Sequence, residues 1–414
     1  MKRSDYQLLL KLGWRNIWRN KRRTIITMLA VTFAVMLSIA MRGLQLGTYD
    51  VNIKYVVDLY TGYIQIQEKG FLNNPTLQKS FHVTEELRKI VQRHRDILAS
   101  APRVVGDGLV SFGENSLGAM VVGIVPDREQ QVCSILTKLN RGQLFATDSS
   151  YDILIGHQLL ENLKAQLGDR VVVLAQGFDG SLGNMRFRIV GTIKTGSPEF
   201  DAASIFMGLS TAQELLAMDG RVSVLALRLR SLQAIREVQP FLQEQLRGTD
   251  LSALAWNQVM PDFEQTIQLD NVSGILMLGI LIVVVAFGIT NTVLMSITER
   301  FKEFGVIRAI GMPRQSLVVL VFVETLMIVL IGIVVGNLLA AGVNYYIMEN
   351  PIVFGGQYEQ IYAEYGFLPR LESTLRPSMF LNSTLATVVI SLLATIYPLA
   401  KVHRLKPLKG IRYT

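Results

Sequence analysis

The sequence predicts an integral membrane α-helical protein of four transmembrane helices, with a large α+β domain between helices 1 and 2. Three observations carry that prediction. Half of the 414 residues are apolar, and they are gathered into runs rather than spread. Lys and Arg flank those runs on alternating sides. The long segment between the first two runs alternates short strand patterns with amphipathic helices. The mean hydropathy of +0.33 agrees with this picture but cannot by itself say where the apolar residues sit.

The runs come first. Thr24–Met41, Asn271–Thr298 and Pro377–Ala400 carry no charge, and Gln315–Met348 carries only Glu324. A helix needs roughly 20 apolar residues to cross the hydrocarbon core, and buried core helices have runs of about 10–14. The first run only just qualifies; the other three exceed the requirement. A basic start followed by an apolar stretch also describes a signal peptide, and Ser38-Ile39-Ala40 resembles a cleavage site. The charged region ahead of it extends to Arg23, however, which is long for a signal peptide, and the segment reads as an uncleaved anchor.

The charges orient the spans. Lys2, Arg3, Lys11, Arg15, Arg19, Lys21, Arg22 and Arg23 precede span one. Arg300, Lys302, Arg308 and Arg314 fill the loop after span two, and Lys401, Arg404, Lys406, Lys409 and Arg412 fill the tail. The loop between spans three and four has Arg370 and Arg376 against Glu349, Glu359, Glu364 and Glu372. Positive residues in short loops stay cytoplasmic, so both termini and the 297–316 loop are expected inside, and 45–270 and 349–376 outside. The net charge of +8 lies beside spans, where anionic headgroups account for it, so nucleic-acid binding is not expected. Cys133 is the single cysteine, which excludes an intrachain disulfide. His82, His94, His157 and His403 are scattered, so no metal site is expected, and no catalytic constellation is legible. No Walker A pattern occurs, so the chain cannot by itself be a P-loop ATPase.

The expected organisation is a basic amphipathic segment 1–23, a first span 24–44, the outer domain 45–270, a second span 271–296, a connecting segment 297–316, a third span 317–348, an outer loop 349–376, a fourth span 377–400 and a tail 401–414. In residues 4–20, Leu8, Leu9, Leu12, Trp14 and Trp18 fall near one face and Lys11, Arg15 and Arg19 on another. That pattern suits both a helix in the membrane interface and an extension of span one. In the outer domain, Tyr63–Gln67 alternates as a half-buried strand, and Val83–Leu98 has helical spacing. Val104–Phe112 and Leu117–Val125 flank the turn Gly113-Glu114-Asn115-Ser116. Ile153–Ile155, Arg170–Leu174, Phe187–Ile193, Ser204–Met207 and Val222–Leu229 read as further strands, and 157–167, 211–218 and 231–247 as helices. The division expected is a core unit (45–105 with 200–270) and an inserted strand-rich lobe (about 106–199).

The sharpest local signal is Ile297–Leu317. Glu299, Glu303, Phe304, Ile307 and Arg308 recur at three-to-four spacing, which on a short helix gathers acid, aromatic and base on one face, and Gly305 and Gly311 permit close approach. A plain connector needs only a turn, so the pattern favours a helix that docks into a partner subunit. The Glu299–Met312 sequence E-R-x-x-E-F-G-x-x-R-A-x-G-M resembles the coupling helix of the FtsX-like, or MacB-type, ABC transporter permeases. Trp14–Arg23, Tyr397–Pro407 and the order of span, outer domain and three spans resemble the same family. Within it, Gly62–Ile66, Val122–Pro126, Ile153–Leu159 with Leu167-Gly168-Asp169, and Phe187–Ile193 with Phe200-Asp201 resemble outer-domain segments of the lipoprotein-releasing LolC/LolE permeases.

The resemblance implies an inner-membrane permease with a periplasmic outer domain. It implies pairing with a second permease, identical or homologous, and binding to an ABC ATPase dimer that carries the ATP and Mg. It also implies extraction of a lipoprotein and its transfer to a periplasmic carrier. It places Glu299, Arg300, Glu303, Phe304, Gly305, Arg308, Gly311 and Met312 at the ATPase. It places Ile39, Met41, Leu44, Ile275, Leu276 and Leu278 around the acyl-chain cavity. In LolC-type subunits a protruding hairpin between the strands matching 170–174 and 187–193 recruits the carrier; here that loop, Gln176–Met185, is short and Gly-rich. The alternative is MacB-like mechanotransmission, although MacB-type pumps usually carry a fused ATPase domain ahead of span one and only some 23 residues precede it here. Three features stay open: Glu324 as an intramembrane acid or an interface-reaching one, Gly332-x-x-x-Gly336 as a contact within or between chains, and Asp169 with Asp201 as turn chemistry.

Overall fold

The computed structural model describes residues 3–19, 21–145, 147–356, 361–362 and 367–404, without the side chains of 3–9 and 23. Lys2, the side chains of Arg3, Leu8, Leu9 and Arg23, residues Glu359 and Glu364, and the tail from 405, with Lys406, Lys409 and Arg412, lie outside the described residues. The chain divides into a unit of residues 1–49, 267–353 and 370–414, and a unit of 50–266 with 354–369.

In chain order the helices are α1 (Arg3–Arg19), α2 (Lys21–Val56), α3 (Glu85–Arg93), α4 (Pro126–Val132), α5 (His157–Leu163), α6 (Pro198–Ala203), α7 (Leu209–Leu215), α8 (Ile235–Gln245), α9 (Trp256–Val259), α10 (Pro261–Glu299), α11 (Phe301–Ala309), α12 (Arg314–Glu349) and α13 (Pro377–His403). The strands are β1 (Ile64–Glu68), β2 (Phe81–His82), β3 (Ile97–Phe112), β4 (Asn115–Ile124), β5 (Leu139–Gly142), β6 (Asp152–Gly156), β7 (Arg170–Gln176), β8 (Leu182–Ile193), β9 (Ser204–Gly208), β10 (Arg221–Val222), β11 (Val224–Leu229), β12 (Leu251–Ala255), β13 (Ile352–Val353) and β14 (Arg370–Leu371).

In the first unit, α2, α10, α12 and α13 are each long and apolar enough to cross a membrane. Val31, Val35, Ile39, Ile289, Val293, Leu317, Val321, Ile333 and Met379 form their shared core. The contact between α2 and α12 rests on glycines. A Cβ at Gly332 would lie 2.9 Å from Val31 Cβ, and one at Gly336 would lie 2.8 Å from the Thr32 carbonyl. The Thr32 hydroxyl donates to the Gly332 carbonyl at 3.2 Å. The G-x-x-x-G pattern is therefore a contact within this chain, where backbones approach because no side chain intervenes. In contrast, α10 is almost bare: Ile275, Leu276, Ile280, Val284 and Phe287 are all exposed.

Two span boundaries differ from the hydropathy reading. Helix α2 continues past residue 44 to Val56 and ends in a π-helical turn, Val57–Thr61. Arg42 ends the apolar run, and Asp50 and Lys54 follow it, without ending the helix. Helix α10 starts at Pro261, ten residues ahead of the expected 271, for the same reason: its first turns carry Asp262 and Glu264.

The second unit is built on a ten-stranded sheet in the order β12-β1-β11-β3-β4-β9-β6-β8-β5, with β7 bridging β3 and β8. Strands β4 and β9, and β6 and β8, run parallel; the other pairs on the path are antiparallel. The expected hairpin forms with Phe112 opposite Asn115, and its turn is only Gly113 and Glu114, with Gly113 at a φ of +58°. Val121 faces one core and Val122 another, and the same split separates Ile153 and Ile155 from Leu154, and Ile205 and Met207 from Phe206. Burial on both faces is what makes these central strands continuous apolar runs.

The internal division is corrected in two places. Strand β3 crosses the expected 105/106 boundary unbroken, pairing β11 through its first half and β4 and β7 through its second. The segment 204–218, assigned to the core unit, packs its Ile205, Met207, Ala212, Leu215 and Met218 with the strand-rich lobe. Pairing partners decide both points, and residue spacing does not encode partners. The loop expected over Gln176–Met185 shrinks to 177–181, because β7 and β8 pair as far as Gln176 and Leu182.

Candidate functional site

The loop after the second span begins at Arg300, whose φ of −100° and ψ of 12° break α10 and turn the chain into α11. Arg300 is only 5% exposed, and its charge is met inside. Its Nη1 donates to both oxygens of Glu324, at 2.8 and 3.2 Å, and its Nε to Glu303 at 3.3 Å. Its guanidinium lies over the Phe304 ring, 4.9 Å from the centroid. The amide of Asn16, on α1, donates to Glu324 at 2.5 Å, and Arg19 donates twice to Glu303, at 2.8 and 2.6 Å. Three segments meet in this cluster: α1, the α10–α11 junction and α12. Burial alone would raise the Glu303 carboxyl, but the hydrogen bonds from Arg19 and Arg300 outweigh it and hold its pKa below the ordinary value.

Local sequence explains the arrangement. Gly13 lets α1 lie close against α12, where a Cβ would come 3.3 Å from Val323 Cγ1. Ile17 is buried, whereas Trp14 and Trp18 stay exposed, edge to face with centroids 6.0 Å apart. Buried small and apolar residues on one face and tryptophans on the other suit a helix seated at the edge of a span bundle. Glu324 is thus a charge partner of Arg300, which answers the question its place inside span three raised.

The expected docking face is partly inverted. Arg300, Phe304 and Gly305 are buried, Phe304 at 1% exposure, and cannot all meet a partner as the sequence pattern implied. Glu303 is exposed but paired, Arg308 and Met312 are half-buried, and Glu299 and Gly311 are exposed. The outer face carries Glu299, Lys302, Val306 and Ile310, the last 82% exposed. Lys302, Val306 and Ile310 stand at four-residue spacing, a signal present in the sequence but overshadowed by the charged, aromatic face that turns inward. Of the expected cavity residues, Met41, Ile275 and Leu276 are exposed, and Leu44 and Leu278 half-buried. Ile39 is a correction: it is fully buried in the span core and its carbonyl accepts from Asn344. Residues 271–296 follow a helix face whose neighbours cannot be told apart by hydropathy.

In the second unit, Arg103 and Glu129 form a sealed pair, with Nη2 to Oε1 at 2.6 Å and Nε to Oε2 at 3.0 Å. Arg103 also donates to Cys133 Sγ at 3.1 Å and lies over the Tyr60 ring. Burial would lower the Arg103 pKa, but the Glu129 carboxylate beside it raises it further. Asp201 accepts from the Thr195 amide and hydroxyl, which makes it loop chemistry distinct from Asp169, which accepts from the Gln166 amide. Among the described residues, no group of three or more His, Cys, Asp or Glu could hold a metal ion.

Comparison with known proteins decides the family. The family model of the MacB-like periplasmic core domain matches residues 24–244, more than half of the chain, and that of the FtsX-like permease C-terminal region matches 275–407. The chain belongs to the FtsX/MacB-like permease family. The FtsX-like permease resembles the lipoprotein-releasing system transmembrane protein LolC of Neisseria meningitidis, 23% identical over 92% of this chain and 95% of that protein. LolC of Xylella fastidiosa is 24% identical over 77% of this chain and 78% of its own length. The macrolide export ATP-binding/permease protein MacB of Bdellovibrio bacteriovorus is 22% identical over 98% of this chain and 61% of its own length. The periplasmic region of MacB from Actinobacillus actinomycetemcomitans aligns with a TM-score of 0.37 at 15% identity, covering 53% of this chain and 98% of that one. The fold expected from the sequence, four apolar helices with an α+β domain of the periplasmic type, is the fold of this permease, an ABC transporter permease subunit.

Proposed function

We propose that this permease extracts lipoproteins from the inner membrane and passes them to a periplasmic carrier, driven by ATP hydrolysis on a separate ABC ATPase dimer. The observation that carries the reading is the match to LolC along nearly the full length of both proteins. In this reading both termini and α11 face the cytoplasm. The ATPase docks on the exposed Glu299, Lys302, Val306 and Ile310, and the buried Arg300–Glu324 contact passes its motion to the third span. The bare apolar face of α10, with Ile275 and Leu276, supports a role for that helix toward a second permease subunit and the acyl chains of the cargo.

The test is reconstitution of the chain with its ATPase in vesicles holding a triacylated lipoprotein. ATP-dependent release to a soluble carrier is expected; ATP hydrolysis that responds to the permease while the lipoprotein stays in the membrane refutes the cargo. A second reading, MacB-like mechanotransmission that drives efflux or regulates a periplasmic partner, draws on the MacB match over 98% of the chain and on the five-residue β7–β8 loop, 177–181. It predicts that second outcome.

A further inference from the structure

The outer unit contains a cavity of about 220 Å³ that the transport reading leaves without a role. Its walls are Leu59 and Tyr60 of the π-helical turn, Phe200 of α6, Met260, and Phe367 and Leu368. The π-helical turn is the unusual element: π-turns are rare and recur at functional sites. Here it ends at Gly62, at a φ of +75°, whose amide donates back to the Val57 carbonyl at 2.9 Å.

The chemistry of the walls selects the ligand. Among the described residues no Lys, Arg, Asp or Glu lines the cavity, so none of these would neutralise a charged guest. Three of the lining hydroxyls already have partners. Tyr55 donates to the Thr195 carbonyl at 2.5 Å, Thr61 to Met260 Sδ at 3.2 Å, and Thr195 to Asp201 at 2.8 Å. Tyr60 and Ser197 add only neutral hydroxyls. Tyr60 and Phe200 pack ring against ring with centroids 5.4 Å apart and together make one wall aromatic. A volume of 220 Å³ divided by ~30 Å³ for each small unit gives room for roughly seven methylenes.

We infer that this cavity binds one alkyl chain of an acyl lipid, taking in about seven methylenes and leaving the rest and the headgroup outside. The site is separate from the apolar face of α10 and stands whether or not the cargo is a lipoprotein. The acyl chain can come from a membrane phospholipid or from a lipidated protein, and the cavity chemistry is the same for both.

The experiment uses the full chain in nanodiscs with palmitate carrying a diazirine, and mass spectrometry to map the adducts. Saturable labelling is expected on the peptides holding residues 55–61 and 195–200. Unlabelled fatty acids of increasing length should compete with affinity rising about fourfold per methylene and then levelling off near seven or eight carbons. Simple partition into the bilayer keeps rising with length, so competition without a plateau overturns the site. Leu59→Trp fills the cavity and should abolish labelling there, while adducts on the spans persist. Phe200→Ala enlarges it and should move the plateau to longer chains, which tests the site even if the filled variant folds poorly. Labelling that neither variant changes also overturns it. Competition by a diacyl phospholipid or by a triacylated lipopeptide then identifies the source of the chain.

Discussion

The molecule holds two Arg–Glu pairs of similar geometry in opposite settings. Arg103–Glu129 is sealed, with both side chains at 1% exposure or less, and it joins a strand to the helix 26 residues later. Arg300–Glu324 is also buried but opens, through Glu303 and Arg19, onto an exposed contact between segments 284 residues apart. The sealed pair suits a part that keeps its shape, since a buried charge left without its partner is heavily penalised. The graded cluster suits a part that moves, since its outer contact costs little to break and its inner one holds the helices in register.

Breaking the sealed pair should have the largest effect. Glu129→Ala leaves Arg103 buried without a counter-charge and should destabilise the outer domain by about 3–5 kcal/mol. Hydrogen exchange of the β3 and β4 amides in the full chain would measure it. Arg103→Met with Glu129→Leu should recover most of the loss, because an apolar pair fills the space without an unpaired charge. A single variant that exchanges like the parent would erase the distinction between the two pairs.

The inner contact of the graded cluster comes next. Glu324→Ala should cost about 2–3 kcal/mol locally, less than the sealed pair because Glu303 remains to receive Arg300. It should also lower ATP-driven activity at least tenfold, measured as permease-dependent ATP hydrolysis. Glu303→Lys should change stability by under about 1 kcal/mol, since its contact with Arg19 is exposed, yet uncouple the ATPase. Arg19→Glu added to it should restore part of the coupling, since it reverses the Arg19 contact but leaves the new Lys beside Arg300; no restoration would assign the effect to the Arg300 contact or to the partner interface. Because the folded-state pKa of Glu303 is lowered, its contribution is present above the usual value of 4.5 and is lost as pH falls below it.

The smallest effect sharpens the sealed side. Burial pushes the Cys133 thiol up to about 11, with Arg103 opposing in part. At pH 8 only about one thiol in a thousand would be thiolate. Maleimide labelling, followed by mass spectrometry, should therefore be negligible in the folded chain and complete in denaturant. Rapid labelling of the native protein would mean that the Arg103 pocket opens.

These two regions also mark what the sequence could convey. The four spans are legible because long charge-free runs have few other uses. The hairpin at Gly113 and the central strands are legible because turn residues and continuous apolar runs are local signals. The inward face of α11 was not, because Arg300, Glu303 and Phe304 have the same spacing whether they meet an ATPase or the chain's own Glu324 and Arg19. That choice is made by residues hundreds of positions away. The π-helical turn at Val57–Thr61 and the parallel pairing of β4 with β9 leave no mark in residue spacing at all.

Across the glycine seam between α2 and α12, helices whose contacting residues lie 300 positions apart make their backbone-to-backbone contact through Gly332 and Gly336 within one chain. The first and third spans are thus joined backbone to backbone within the chain, whereas only part of the second span joins their shared core. The seam fixes one helix pair by backbone contact, whereas the second span presents much of its apolar face outward.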